Sequence, residues 1–445
     1  MKNTRSHEEL TQNLPTLFGH PTGLFALFFA EMWERFSYYG MRALLTLYMI
    51  KGFLSYSDNR AYAVYGAYAS LVYMTPFFGG MLADHVLGQR VAVIIGGTLM
   101  ALGHLLMGFE SPMMFYLALA FIIIGNGFFK PNISTIVGQL YPAASRMRDG
   151  GFTIFYIGVN LGAAVSPLLC GYVGEQYGWH YGFGLATIGM LLGLAVFVAP
   201  TRLAQVLIGV TALAGAGGLM VLRTNQLIPF LFNSFTAICM LVAAGISITA
   251  LFKAGLPEWA GLPPGGRTNW SKLALVLGGI VLAIPVITLL VSGFSIVTKS
   301  GDPVQLISPE TITSVSAYFG GLKNVANIFL TEISKPAGLV LTTTGLLAAG
   351  YLIFEPFRLE TIARHRMVVA LTLIFMSILF WAFFEQAGSS LNNFADRNID
   401  RVAASRTITE ADVGTVIRIQ PTQEQLGYTN GDSIFTMTDL NALRQ

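Results

Sequence analysis

The chain has 445 residues, of which 54% are hydrophobic and only 11% charged, and its mean hydropathy is +0.62. That composition excludes an ordinary soluble globular protein and indicates a chain that crosses a membrane several times. The net charge of +3 is too small to favour nucleic-acid binding, and no disulfide framework is expected because Cys170 and Cys239 both lie in apolar segments.

Eleven apolar stretches are long enough to cross the hydrocarbon core, which takes about twenty residues. They lie at 23–50, 61–82, 91–108, 112–138, 150–172, 182–199, 203–222, 227–252, 273–298, 337–354 and 367–390. The sequence therefore predicts an all-α polytopic membrane protein. We expect a six-helix bundle at 1–201, a linker with extra hydrophobic helices at 202–365, and a last helix with a polar external segment at 366–445.

Lysine and arginine are concentrated in alternate loops, which predicts how the chain is oriented. The loops on one side carry Lys2, Arg5, Arg90, Arg146, Arg148 and Arg202. The loops on the other side of the same six spans carry only Lys51 and Arg60. Because cytoplasmic loops hold the excess of positive charge, we expect a cytoplasmic amino terminus.

The first span, "FFAEMWERFSYYGMR", carries charges where each costs roughly 2.5–3.5 kcal/mol in mid-membrane. Glu31 and Arg35 are four residues apart and share a helix face, which Glu34 also borders. Arg42 lies two turns beyond Arg35. A buried salt bridge that only fixes helix packing is one interpretation. The surplus carboxylate favours a proton-coupling site, because two carboxylates compete for one guanidinium and one of them tends to keep its proton.

Two further charges lie in apolar spans. Lys130 follows the run "FIIIGNGFF", and Pro131 after it is expected to kink that helix. Glu385 lies in "FWAFFEQAGSS" on the last span. Lys130 could snorkel to the surface, but its depth favours a pairing with Glu385 across a central cavity. The six buried groups then form a balanced set of three carboxylates and three cations.

Polar side chains on three spans are candidates for the wall of that cavity. They are Tyr38, Tyr39, Tyr73, Tyr156 and Asn160. The tyrosines could instead be interfacial anchors, and Asn160 could hydrogen-bond between helices. Gly158 and Gly162 beside Asn160 predict close helix packing at this point.

The loop "GGMLADHVLGQR" joins the second and third spans. Its Asp84 could cap a helix or pair with Arg90. An ordinary polar turn is the simpler interpretation, and a gating role is the alternative hypothesis.

Four of these stretches resemble, in the same order, signatures of the proton-coupled oligopeptide transporter family, the peptide branch of the major facilitator superfamily. "EMWERFSYYG" is similar to its first-helix signature, "FTIFYIGVNLGA" to the fifth and "FWAFFEQAGSS" to the seventh. "GGMLADHVLGQR" resembles the superfamily loop between helices two and three, with His85 where arginine or lysine is more usual. The resemblance covers residues 20–200 and 355–400.

The resemblance implies a major facilitator fold with a complete N-terminal six-helix bundle and the start of the C-terminal bundle. It implies proton coupling by Glu31, Glu34, Arg35 and Glu385. It also implies that Arg35 and Lys130 lie near the substrate carboxylate and that Lys130 exchanges partners with Glu385. The positions that resemble pocket residues are Tyr38, Tyr39, Arg42, Tyr73, Asn160 and Trp381.

The implied function is proton-driven import of di- and tripeptides by alternating access, with the lipid bilayer as surroundings and neither a cofactor nor a metal. Two alternatives stay open: transport of another anionic solute such as nitrate, and a membrane peptide sensor that does not transport. An enzyme is not expected, because the sequence has no paired nucleophile and base, metal cluster or phosphate-binding glycine loop.

Two features depart from the family pattern. Four apolar segments lie between the sixth and seventh helices, where bacterial members often have two. The extra helices favour a bacterial inner membrane. The chain also ends soon after the seventh helix, so we expect a fragment of a longer transporter that does not transport alone.

Overall fold

The computed structural model describes residues 7–142, 144–221, 227–263 and 266–399, together with 410 and 414. The chain begins with α1 (His7–Gln12) and a two-residue antiparallel pair, β1 (Thr16–Leu17) and β2 (His20–Pro21). The expected inner-loop cations Lys2 and Arg5 lie outside the described residues, as does nearly all of the expected external segment after residue 399.

The first bundle consists of the six long helices predicted from the apolar runs. They are α2 (Gly23–Lys51), α3 (Asp58–Leu82), α4 (Gln89–Leu106), α5 (Pro112–Gln139), α6 (Met147–Ser166) with its continuation α7 (Tyr172–Tyr177), and α8 (Trp179–Val198). A π-helical turn, Pro167–Gly171, joins α6 to α7. Pro131 does not end α5, which continues eight residues beyond it to Gln139.

The remaining predicted spans are also helical. The later helices are α9 (Thr201–Val221), α10 (Leu227–Lys253), α11 (Trp270–Ser292), α12 (Pro309–Ala317), α13 (Lys323–Ile333), α14 (Pro336–Phe354), α15 (Thr361–Phe384) and α16 (Ser390–Asn398). α11 ends before the predicted residue 298 because Gly293 takes a left-handed conformation with φ of 58°. The segment between the predicted spans 273–298 and 337–354 contains α12 and α13.

Nine of the described helical segments are long and apolar enough to cross a membrane. α2 and α3 are not among them, since α2 carries several charges and α3 is rich in tyrosine. Both helices nevertheless pack within the bundle, and α2 has charged side chains that are buried by its neighbours. The chain is therefore an integral membrane protein in which α2 carries a buried polar site.

Three glycines at two helix crossings allow the backbones to approach closely. A side chain at Gly79 of α3 would collide with the carbonyl of Gly127 on α5. A Cβ atom at Gly158 of α6 would lie 2.9 Å from the carbonyl oxygen of Phe28 on α2, and one at Gly162 would collide with Met32. The predicted close packing around Asn160 is confirmed, and it presses α6 against the charged turn of α2.

Candidate functional site

The charged turn of α2 is enclosed by the bundle. The side chains of Glu31, Glu34 and Arg35 are 4%, 0% and 3% exposed. The Nε atom of Arg35 donates a hydrogen bond to Oε1 of Glu31 at 2.9 Å and lies 2.5 Å from Oε2 of Glu34. One guanidinium therefore faces two carboxylates, as the spacing along the helix predicted.

Several polar atoms of this cluster have no hydrogen-bond partner among the described residues. They are Oε2 of Glu31, Oε1 of Glu34 and Nη2 of Arg35, whereas Oε2 of Glu34 contacts Arg35 as an ion pair. Each buried polar group without a partner costs about 1–3 kcal/mol. Lys130 on α5 is close enough to act electrostatically on both carboxylates. The cluster is thus under-satisfied and can bind protons or a polar ligand.

Glu385 pairs with Arg42, which corrects the expected pairing with Lys130. Nη2 of Arg42 lies 2.9 Å from Oε2 of Glu385. The hydroxyl of Tyr73 donates to the other carboxylate oxygen at 2.9 Å, and its ring centroid lies 4.9 Å from Nζ of Lys130. Tyr73 therefore lies between Lys130 and Glu385, because its ring contacts the ammonium and its hydroxyl binds the carboxylate. Both oxygens of Glu385 have partners, and neither partner is Lys130.

Aromatic rings surround the two arginines of α2. The Cζ atom of Arg35 lies 5.4 Å from the ring centroid of Tyr38, and that of Arg42 lies 5.9 Å from Tyr39. Tyr65 on α3 accepts a hydrogen bond from Nε of Arg42 at 2.7 Å. Sequence reasoning missed Tyr65, although the recurrence of tyrosine at three-residue spacing along α3, at Tyr62, Tyr65 and Tyr68, is a signal that could have identified it.

Three predicted pocket residues lie at the edge of this cluster. Tyr156 is 61% exposed, and Asn160 donates to the Tyr156 carbonyl of its own helix at 3.0 Å, so this bond does not join two helices. Trp381 is 47% exposed and packs edge-on against Phe384, whose ring lies 5.9 Å from Cζ of Arg42. These side chains are therefore exposed rather than enclosed by the bundle.

Ion pairs close the end of the bundle at which α2 finishes, here called the α16 end. Arg397 binds Asp58 through two contacts of 2.6 and 2.8 Å, and Lys51 pairs with Asp396. α15 itself has no buried residue. α15 is therefore held to the first bundle at the α16 end by the residues that follow it, 385–398. The sequence did not indicate this contact, because no local spacing relates Asp58 to Arg397.

Asp84 and Arg90 do not pair with each other, which corrects one interpretation of their loop. Asp84 is exposed in a π-helical turn, Ala83–Leu87, and accepts a hydrogen bond from Nε2 of Gln89 at 2.8 Å. Gln89 thus satisfies the aspartate. Arg90 is turned towards a different segment of the chain, so the expected helix cap and ion pair are both absent here.

Arg90 holds the segment that precedes α11, residues 254–263, here called the strap. Its guanidinium donates to the carbonyl oxygens of Pro257 and Ala260 at 2.5 and 2.6 Å. Ala260 is fully buried, and the backbone N–H of Arg90 donates to Gly261 at 2.9 Å. The strap is thereby fixed to the start of α4. The end of the bundle at which α4 begins and the strap lies is here called the strap end.

No group of three or more histidine, cysteine, aspartate or glutamate residues among the described positions is arranged to hold a metal ion. The polar site thus consists of carboxylates, guanidinium groups, one ammonium and tyrosine hydroxyls.

A family profile described as the POT family matches residues 90–206. The chain is 46% identical over 189 residues to the peptide transporter YePEPT of Yersinia enterocolitica, covering 41% of this chain and 37% of the relative. It is 41% identical over 199 residues to a di-/tripeptide transporter of Lactococcus lactis, covering 43% and 40%. The chain thus spans about two fifths of the length of these curated relatives.

The fold also resembles a solved structure of a peptide transporter POT in complex with sulfate. The two are 30% identical, with a TM-score of 0.54, and the match covers 94% of this chain and 68% of the solved chain. The similarity therefore extends beyond the first bundle to the later helices.

Proposed function

This chain belongs to the POT family, and we propose that it carries di- and tripeptides across the membrane as a proton-driven secondary transporter. The observation that carries the proposal is the buried turn in which one guanidinium faces the carboxylates of Glu31 and Glu34. The guanidinium alone cannot balance two negative charges, and Lys130, although it acts on both, forms an ion pair with neither carboxylate. A proton on one carboxylate restores the balance without any further residue.

Lys130 is the cation that we assign to the substrate carboxylate. It makes no ion pair with any described residue and contacts the ring of Tyr73 at 4.9 Å. A cation over an aromatic face gains about 0.5–2 kcal/mol, and a carboxylate held in the same low dielectric binds an ammonium more strongly. A peptide carboxylate can therefore displace this contact.

Glu385 couples the site to the last helix. Its two carboxylate oxygens bind Arg42 and Tyr73, and Tyr73 also contacts Lys130. Protonation of Glu385 would weaken its bond to Arg42, and substrate on Lys130 would release Tyr73. Both events weaken the contacts of Glu385 with Arg42 and Tyr73, which connect the end of α15 to the first bundle. Alternating access requires a step of this kind.

The wall of the proposed substrate site is polar and aromatic. We assign to it Arg35, Tyr38, Tyr39, Arg42, Tyr73, Lys130, Tyr156, Asn160 and Trp381. Separated charges suit the two ends of a zwitterionic peptide, and exposed rings suit its variable side chains. The names of the two curated relatives, a peptide transporter and a di-/tripeptide transporter, support this substrate class.

We assign the strap end to the cytoplasm of a bacterial inner membrane. Arg90, Arg146, Arg148 and Arg202 lie in or beside the loops at that end, whereas Lys51 and Arg60 lie at the α16 end. This distribution is the one that the positive-inside rule predicts.

The test is uptake of radiolabelled dialanine by proteoliposomes that contain the complete reading frame, with and without an inward proton gradient. We expect accumulation that depends on the gradient and is inhibited by unlabelled dipeptides but not by nitrate. Flux that nitrate inhibits and dipeptides do not would contradict the peptide substrate. Dipeptide binding without flux would favour a sensor.

A further inference from the structure

A cavity of about 430 Å³ lies where α5 ends and α6 begins, at the strap end and away from the charged turn of α2. Its wall includes Ser134, Thr135, Gly138, Tyr141 and Arg148. The cavity is thus lined by one cation and several polar groups from two helices that also carry proposed substrate residues.

Arg148 lines this cavity and has one donor without a partner. Its Nε atom is buried and has no hydrogen-bond partner among the described residues, and none of those residues forms an ion pair with it. Its Cζ atom lies 5.9 Å from the ring centroid of Phe152. Gly138 leaves room for the guanidinium, since a Cβ atom there would lie 3.0 Å from Nη2. This planar group suits a carboxylate, which it can bind through two parallel hydrogen bonds.

The hydroxyls of Ser134 and Thr135 complement the arginine. Both donate their hydrogen atoms to the carbonyl oxygen of Pro131, at 2.9 Å in each case. Their oxygen lone pairs are therefore left to accept hydrogen bonds. A molecule with a carboxylate and N–H donors, such as a peptide, matches an arginine beside two acceptors.

Two rows of side chains connect this cavity with the proposed substrate site. On α5, Ser134 lies one helical turn from Lys130, on the same face. On α6, four-residue steps lead from Arg148 through Phe152 and Tyr156 to Asn160. The two rows therefore run from this cavity to residues that we assign to the proposed substrate site.

We infer that this cavity is a second substrate site, in which Arg148 binds the carboxylate of a peptide on its way between the central site and the strap end. The inference rests on the proposed function and deepens it. Because Arg148 lies beyond Lys130 on the path to one side only, it affects affinity measured from that side and not from the other.

The test compares the dialanine concentration that gives half-maximal transport, here called the half-saturation, measured from each of the two sides of oriented proteoliposomes. In Arg148→Gln, loss of the charged donor should raise the half-saturation of efflux from the strap-end side about tenfold. The half-saturation of uptake from the α16 side should change by less than about twofold, since Lys130 and Arg35 remain. Arg146→Gln is the matched control, because Arg146 is an exposed arginine two residues away and should alter neither value.

A second variant keeps the test decisive if Arg148→Gln does not fold. Arg148→Lys preserves the charge but loses the planar pair of donors, and it should raise the efflux half-saturation about threefold. Melting temperatures report whether each variant is folded. The inference is overturned if efflux half-saturation is unchanged in the folded variants or rises equally on both sides. It is also overturned if inorganic phosphate competes at the strap-end side as strongly as dialanine.

The controls separate this inference from the proposed function. If the wild-type protein and Arg146→Gln carry no dialanine, the proposed function fails, and the second site fails with it. If they do carry dialanine and Arg148→Gln behaves like them on both sides, only the second site is wrong.

Discussion

Nη2 of Arg42 and Oε2 of Glu385 lie 2.9 Å apart, although 343 positions separate the two residues in the chain. The other carboxylate oxygen accepts a hydrogen bond from Tyr73 of α3. A single glutamate, at the end of α15, therefore connects that helix to two helices of the first bundle, α2 and α3. Its side chain is 22% exposed and that of Arg42 only 7%, so water screens the pair little on the arginine side.

Glu385→Gln should weaken this joint, because the amide keeps the shape of the side chain but not its charge. We expect the α16 end to open more often, by roughly tenfold for a loss of about 1.4 kcal/mol. Spin labels on Asn59→Cys and Leu391→Cys would show a longer or broader distance distribution. Glu360→Gln is the control, since Glu360 is exposed. Identical distributions in all three proteins would refute the prediction.

Glu34→Gln should abolish accumulation of dialanine driven by a proton gradient while some exchange of peptide remains. The fully buried Glu34 carboxylate is the surplus charge beside Arg35, so its loss removes a proton-binding group and leaves the arginine with Glu31. Uptake and exchange in proteoliposomes measure the two effects separately. Glu310→Gln, at an exposed position on α12, should behave like the wild type. Full proton-driven uptake by Glu34→Gln would contradict the assignment of Glu34 as a proton-coupling residue.

Gly162→Ala should lower the stability of the bundle by roughly 1–3 kcal/mol, the usual cost of overpacking. The new methyl would lie 3.0 Å from the backbone nitrogen of Phe36 and 3.1 Å from Cβ of Arg35, and it would collide with Met32. The melting temperature in detergent measures the loss. Gly217→Ala is the control, because no atom lies within 4 Å of its new Cβ. Equal melting temperatures for the two variants would contradict the predicted clash.

His20 should make stability depend on pH. It lies outside the spans, 7% exposed, with Nδ1 2.9 Å from the hydroxyl of Tyr141. Burial lowers the pKa of His20 below its ordinary 6.5, so the unfolded chain binds the proton more readily. The contribution of neutral His20 is complete above pH 6.5 and is lost as pH falls towards the lower folded-state pKa.

The measurement is the melting temperature of wild type and His20→Gln between about pH 8 and about pH 5. The wild type should lose more stability on acidification than the variant. His180→Gln, at an exposed position, should retain the wild-type slope. Parallel curves for wild type and His20→Gln would show that His20 does not contribute.

The long helices were predictable because each needs an apolar run of fixed minimum length. The contact between Glu31 and Arg35 was predictable for a similar reason, since helical spacing alone brings them together. The partner of Glu385 was not. Lys130 and Arg42 are both cations on long side chains. Only the relative positions of α2, α5 and α15 along the bundle axis determine which of the two contacts Glu385.

Contacts with backbone atoms were beyond prediction for another reason. Arg90 binds the carbonyls of Pro257 and Ala260, and every residue carries a carbonyl, so the sequence contains no signal for this choice. α16 was missed because its short polar helix resembles a loop in composition. Its ion pairs with Lys51 and Asp58 depend on tertiary structure alone.

The contacts at the two ends of the bundle use acceptors of different chemistry. At the strap end the guanidinium of Arg90 is bound by backbone carbonyls, which every residue carries. At the α16 end Lys51, Arg397 and Arg42 are bound by the carboxylates of particular side chains. Point substitutions therefore act unevenly on the molecule: one side-chain change at an acceptor removes a contact at the α16 end, whereas no change of an acceptor side chain removes the contact at the strap.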